Sequence, residues 1–308
     1  MGEAGTSDER VVSVIVPAYN DPLLPSCLEA LSCLETPEGW RIELVVVDNL
    51  SDQPLAALAD AWPEVTFLVE TRRGSYAARN AGLALACGEV LAFTDSDCRP
   101  AEDWLVVALR RLEEEPGVSA VAGRVDNVFD SGRPSSPVGW WEAVEAFPQH
   151  EYVANGYGVT ANLVVRRVAG ESVGWFDGEA QSGGDADFGR RLTQSGGVLR
   201  YEADAVVRHP ARTTWRELTA KGRRTAKGHA RMEELRGGGV LQVLRSIYAL
   251  IKKLTSVVER SLVRPELDGP SARLQYLCVG LAFRTFWFVE MCRWRVRYHR
   301  QAARGALI

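Results

Sequence analysis

The stretch "GSYAARNAGLALACGEVLAFTDSDC", residues 74–98, decides the fold. Its first part predicts a helix over 74–88, opened by Gly74-Ser75 with Ser75 as N-cap and closed by Gly88. An apolar run follows at once and reads as a buried strand over 90–94. The strand breaks off into Asp95-Ser96-Asp97. Two carboxylates this close repel, and each raises the other's pKa unless a cation lies between them. Three arrangements accommodate such a pair: a solvated turn, a cap for the helix expected near residue 101, or a divalent-ion site. Mg2+ and Mn2+ prefer hard oxygen ligands and share their shell with water and substrate phosphates. An Asp-x-Asp after a buried strand therefore fits an ion that bridges a nucleotide diphosphate to the protein.

Upstream, "VVSVIV" (11–16) is a β-branched strand closed by Pro17, and residues 23–34 have helical spacing. "IELVVV" (42–47) is a second strand, helical residues follow from Pro54, and "VTFLV" (65–69) is a third. Near-continuously apolar strands alternating with helices imply an α/β fold with a mostly parallel sheet covered on both faces. Ligands bind such sheets beyond the carboxyl ends of the strands. Pro17 to Asn20, Asp48-Asn49 and Asp95 to Asp97 should therefore line one crevice. The first strand is followed by "PAYNDPLLP", without Gly-x-Gly-x-x-Gly or a basic glycine-rich loop, and no Gly-Lys-Ser/Thr occurs. Dinucleotide dehydrogenases, sugar nucleotidyltransferases and P-loop enzymes are thereby set aside.

Further along, 131–139 is a loop, 156–167 a loop entering a strand, and 182–197 a short helix between glycine pairs. Two short strands are expected around Leu199 and Val206. Beyond Gly237-Gly238-Gly239 the chain becomes arginine-rich amphipathic helices, broken at 264–270. The organisation expected is a disordered lead-in (1–10), an α/β half (11–125), a less regular half (126–236) and a basic helical region (237–308). From Arg208 to the end there are 21 Lys/Arg against 7 Asp/Glu, whereas the rest of the chain has 15 against 33. That asymmetry points the C-terminal region at something anionic. The 274–292 run is mostly apolar but interrupted by Arg284 and Glu290, and arginines and aromatics follow it. This suits a helix lying in the interface of an anionic membrane, with packing or spanning as the other placements, and it suits nucleic acid less well. Six cysteines without zinc-like spacing read as reduced thiols, and the polar N-terminus as no export signal. Both suggest a cytoplasmic protein, peripheral on the inner face of the membrane.

"VSVIVPAYND", "LVVVDNLSD", "RRGSYAARNAGLALACGEVLAFTDSDC" and "GGDADFGRRL" occur in the order and spacing of family 2 glycosyltransferases. The resemblance covers roughly residues 11–215 and implies the GT-A (Rossmann-like) fold and inverting transfer from a nucleotide-diphosphate sugar, UDP by family habit, with 11–125 as the nucleotide-sugar-binding half and 126–236 as the acceptor-binding, catalytic half. It places Pro17, Tyr19 and Asp48 at the base or ribose and Arg79 in the donor pocket. Asp95 falls near ribose and metal, and Asp97 on Mn2+ or Mg2+. Asp185 aligns with the family's general base, while Gly184 stands where the family usually has glutamate. A histidine at the position of His209 often reaches the metal or diphosphate, and Thr160, Ala161 and Asn162 resemble a segment near the acceptor floor.

Inverting transfer needs a base beside the acceptor hydroxyl and a stabilised leaving diphosphate. Arg212 is a candidate for the departing phosphates, since arginine pairs with them bidentately. Asp187 is expected on the acceptor side in a supporting role. The sequence thus reads as a metal-dependent glycosyltransferase of cell-surface polysaccharide or glycolipid assembly, with a sugar or lipid-linked acceptor. The alternative is a nucleotide-sugar-binding or scaffolding protein of the same fold, favoured only by Gly184.

Overall fold

The computed structural model describes residues 9–235 and 240–305. In chain order the elements are β1 (Arg10–Ala18), α1 (Leu24–Ser32), β2 (Trp40–Asp48), β3 (Val65–Val69), α2 (Ser75–Leu85), β4 (Val90–Phe93), β5 (Arg99–Pro100) and α3 (Trp104–Glu114). There follow β6 (Val118–Val128), α4 (Pro137–Glu145), α5 (Gln149–Ala154), β7 (Leu163–Arg166), α6 (Arg167–Val173), α7 (Gly184–Gln194) and β8 (Val198–Pro210). Three long helices end the chain: α8 (Trp215–Leu235), α9 (Val240–Val263) and α10 (Gly269–Gly305).

One sheet runs in the order β3-β2-β1-β4-β7-β6-β8-β5. The pairs β3–β2, β2–β1 and β1–β4 are parallel, as the βα alternation requires. Past β4 the observed pairings turn antiparallel, at β4–β7, β7–β6 and β8–β5. Strand alternation sorts side chains onto two faces. Val12, Val14 and Val16 meet Leu24 and Leu28 of α1 and Leu105 and Leu109 of α3. Ile15, Leu91 and Phe93 meet Tyr76 and Leu83 of α2 and Phe188 and Leu192 of α7. Pro17 sits past the last β1–β4 pair, where its missing N–H costs little.

Several local expectations are corrected. Ser75 is not the N-cap. Gly74 is, at φ +132°, and its N–H donates to Asn49 Oδ1 at 2.7 Å. Gly88 is not the helix stop, since α2 ends at Leu85. It is small because a Cβ there would lie 2.4 Å from Ser13 Oγ and 2.6 Å from Ser13 N. The helix expected from Pro54 is a single 3-10 turn, Leu55–Leu58. The two strands expected around 199 and 206 are one strand, β8. Its polar middle stays in the sheet because Glu202 accepts from Arg111 Nε at 2.7 Å. Of the lead-in, residues 1–8 lie outside the described residues, and Arg10 already belongs to β1, paired with Glu89 and with Glu113. The Gly237–Gly239 break also lies outside them.

The chain packs as two compact units. One comprises the chain up to Asp126 with Phe147–Ala180 and Gly184–His209; the other comprises Asn127–Ala146, Gln181–Gly183 and the chain from Pro210. The second is helical. Trp141 of α4 stacks on Tyr276 of α10 at 5.4 Å, and Val279 and Phe283 join them. The buried Glu142 holds Arg212 at 2.9 Å and Lys221 at 3.4 Å. Glu145 takes Tyr276 Oη at 2.7 Å, Arg260 at 3.1 Å and Arg284 at 2.7 Å. The apolar run at 274–292 therefore contributes Tyr276, Val279, Phe283 and Met291 to the interior. Among the described residues no helix is long and apolar enough to cross a membrane.

Gly88→Ala should destabilise the protein by about 2 kcal/mol, because the new methyl overpacks against the β1 backbone. The denaturation midpoint should fall without a change in slope.

Candidate functional site

The carboxyl ends of β1, β2 and β4 carry the expected residues. Asp95 and Asp97 follow β4, and with Cys98 their ligating atoms all lie within 4.8 Å of one another. The intervening Ser96 donates instead to Asp21 at 2.6 Å. Neither aspartate caps the next helix, since α3 has Asp103 at its N-cap. His209 ends this cluster, with Nε2 3.4 Å from Asp97 Oδ2 and its ring 4.6 Å from Phe147. Burial, with Asp95 and Asp97 adding to it, pushes the Cys98 thiol up. Mn2+ and Mg2+ are hard ions, and of the donors here they suit the two carboxylates and the imidazole better than the thiol.

Arg79 projects from α2 and is only 2 % exposed. It pairs with Asp95, donates to the Ser75 carbonyl at 3.3 Å, and leaves Nε buried without a hydrogen-bond partner. The guanidinium that holds Asp95 thus keeps one buried N–H unsatisfied at the site. The loop before α2 is held by Asn49, whose amide donates to the carbonyls of Glu70 at 2.9 Å and Arg72 at 2.8 Å. Sequence reasoning put Asn49 in the crevice lining; its observed work is to fix the helix that carries Arg79.

Asp48 is buried at the end of β2. Its two oxygens accept from the amides of Ser51 at 2.8 Å and Leu55 at 3.4 Å, so it closes the following turn. Each oxygen keeps a second lone pair for a base N–H. Tyr19 is exposed, with Arg73 5.3 Å over its ring and donating to its hydroxyl at 3.2 Å. Asn20, in the left-handed region at φ +47°, exchanges hydrogen bonds with Asp52 and ties the loops after β1 and β2 together.

Asp185 opens α7, and its Oδ1 accepts from the Ala186 amide at 2.8 Å. The residue is half-buried. Burial raises its pKa, opposed by the Ala186 amide, the Tyr76 hydroxyl and Arg79, with Asp95 pushing upward. Tyr76, a residue that sequence reasoning passed over, lies against Gly184, where an added Cβ would come 2.8 Å from the ring. The space of the family's usual glutamate is thus taken by a tyrosine whose hydroxyl bonds the neighbouring aspartate.

Other expectations change. Asn162 does not offer its amide to an acceptor. It is fully buried, receives Trp104 Nε1 at 2.8 Å, and donates to Arg124 and Ala205 carbonyls at 2.8 and 2.9 Å. It staples β6 and β8, and Gly123 makes room for it. Asp187 pairs with Arg191 at 2.8 Å, and Arg191 in turn binds the carbonyl of Trp175 at 2.6 Å. Arg212 belongs to the other compact unit, bound to Glu142.

Fold and crevice together define a GT-A glycosyltransferase scaffold. The family model for "Glycosyl transferase family 2" matches residues 13–177. Glycosyltransferase AglE of Haloferax volcanii is 33% identical over 230 residues, 72% of this chain and 74% of that protein. The pre-mycofactocin glycosyltransferase of Mycobacterium tuberculosis is 32% identical over 69% of this chain, a match spanning 45% of its own length. In fold, the chain resembles a mannosyltransferase of Pyrobaculum calidifontis solved in complex with GDP-Man and Mn2+, with TM-score 0.58, 21% identity and coverage of 92% and 86%. The chain belongs to glycosyl transferase family 2, a class of enzymes of glycan biosynthesis.

Tyr76→Phe keeps the ring against Gly184 and removes a hydrogen bond that favours the charged carboxylate. The titration of Asp185, followed by carboxyl-carbon NMR, should move to higher pH.

Proposed function

We propose that this protein transfers a sugar, with inversion, from a nucleotide-diphosphate sugar to an acceptor hydroxyl. The observation that carries this reading is the linked set Asp185, Arg79, Asp95, Asp97 and His209 at the carboxyl ends of the parallel strands. Asp185 accepts the acceptor's proton as the oxygen attacks the anomeric carbon. Its raised pKa makes it a stronger base than an ordinary aspartate, yet one that is ionised once the pH exceeds it. Arg79 offers its free N–H to the donor and holds Asp95 in place. Asp95, Asp97 and His209 would hold Mn2+ or Mg2+, which supplies positive charge to the leaving diphosphate. Tyr19 gives a face for the base, Pro17 supports the β1 end, and Asp48 accepts a base or ribose donor. Gly184 and Asp187 shape the acceptor side through Tyr76 and Arg191.

The donor is a UDP sugar on the family's habit, and a GDP sugar is the second candidate because the mannosyltransferase neighbour is in complex with GDP-Man. The acceptor reading is a sugar or lipid-linked glycan of cell-surface assembly, met at the cytoplasmic face of a membrane. A relative named for succinoglycan biosynthesis, 27% identical over 75% of this chain, supports the polysaccharide class. Binding without turnover is the alternative that Gly184 favours, and it predicts donor stabilisation with no product.

A thermal-shift panel of UDP and GDP sugars with and without Mn2+ should show one donor stabilising the protein only with the ion. Asp97→Ala should abolish that ion-dependent shift. Asp185→Asn should keep the shift and lower kcat by about 10²–10⁴-fold. If the parent binds donor but releases no nucleoside diphosphate with any acceptor, the transfer reading fails.

A further inference from the structure

The second unit shows an apolar face that its own core does not use. On α9, Leu244, Ile247, Tyr248, Ile251, Val258 and Leu262 are all exposed, Tyr248 and Leu262 at 69 % and Ile251 at 55 %. At 3.6 residues per turn these positions fall within an arc of about 100°. The opposite side of the same helix does the packing, with Val257 and Ser261 buried. Isolated apolar residues on a surface need no explanation, but six along five turns of one helix do.

We infer that this face of α9 is a docking surface for an anionic lipid membrane. Arg245 and Lys252, both exposed, flank the stripe on one side at a spacing of two turns, with Glu259 next in that row. The region from Arg208 onward has 21 basic residues against 7 acidic ones. A negatively charged headgroup layer complements that balance, whereas a second copy of the chain would bring like charge onto like charge. The width of the arc suits insertion at an interface better than the narrower seam of a coiled coil, and Tyr248 offers an apolar ring with a polar tip. The 274–292 segment, where the sequence placed membrane contact, turns Tyr276, Phe283 and Met291 inward. The surface moves one helix upstream. The inference does not depend on the transfer reaction, because lipid binding is measured without donor or acceptor.

The test is vesicle flotation of the full-length protein at low salt, with phosphatidylglycerol–phosphatidylcholine vesicles against phosphatidylcholine alone. The parent should float with the anionic vesicles and be released by high salt. Ile251→Asp with Leu262→Asp should lower the bound fraction at least tenfold, and Arg245→Glu with Lys252→Glu should do the same. Val168→Glu, at an exposed apolar residue of α6, should leave binding unchanged, and unchanged melting temperatures show that each variant is folded. The inference is overturned if the parent does not float, or if the α9 variants float like the parent. It is equally overturned if those variants instead convert a dimer to monomer by sedimentation with lipid binding intact, because then a second copy covers the stripe.

Discussion

A guanidinium as deeply enclosed as that of Arg79 must be neutralised where it lies, because an unpaired buried charge costs several kcal/mol. Asp95 pairs with it directly, and it also acts on Asp185, lowering a pKa that burial raises. The converse holds for the acids. Without Arg79, Asp95, Asp97 and Asp185 would share one crevice with no nearby cation from the first unit's α2. The position of α2 is accordingly tight: a Cβ on Gly82 would come 2.6 Å from Ile15 and 3.1 Å from Val47. Asn49 fixes the other end by holding the loop that precedes the helix. The site's electrostatics therefore rest on how closely one helix lies against β1 and β2.

The shared direction of the strands on either side of β7 distributes the chemistry. The parallel strands end together and deliver Tyr19, Asp48 and Asp95 to one edge of the sheet. β7 runs against both β4 and β6, and β8 advances alongside β6, with Val198 beside Ser119 and Ala211 beside Val128, so the carboxyl end of β8 brings His209 to Asp97. α7 starts with Asp185 at its N-terminus, where the helix dipole favours the ionised carboxylate and partly counters the effect of enclosure. The residue is thus an aspartate that burial makes more basic while a dipole, an amide and a tyrosine hydroxyl keep it ionisable. That balance is a property of the packing around α7 rather than of the Asp-Ala-Asp sequence.

What was legible in the sequence is what period and punctuation specify. β-branched runs ending in Pro, Asp-Asn and Asp-Ser-Asp marked β1, β2 and β4, and the order of those ends predicted the crevice. The glycines were legible only as punctuation. Gly88 looked like a helix stop, but it is small because Ser13, 75 residues earlier in the chain, passes close to it. Asn162 lay in a recognisable segment, yet its carboxamide is consumed by Trp104, Arg124 and Ala205. No local pattern shows that a polar side chain will be enclosed by strands that are distant in sequence. Tyr76 was hidden for the same reason: its partner, Asp185, is over a hundred residues away.

The C-terminal helices show how composition misleads about direction. Arg212, Lys221, Arg260, Arg284 and Arg295 read as a basic surface, but each is bound to Glu142, Glu145 or Glu233. Five cations share three carboxylates, so part of the region's positive charge is internal wiring. Burial drives the Lys221 pKa down to about 8 even with Glu142 beside it. Much of the 274–292 run is likewise internal, since Tyr276 and Phe283 fill the space around Trp141. A helix with a dense apolar run has the most to gain from the core, and so it is drawn inward and its neighbour is left at the surface. The helix that keeps an apolar stripe at the surface is α9, and its exposure rather than its composition identifies it.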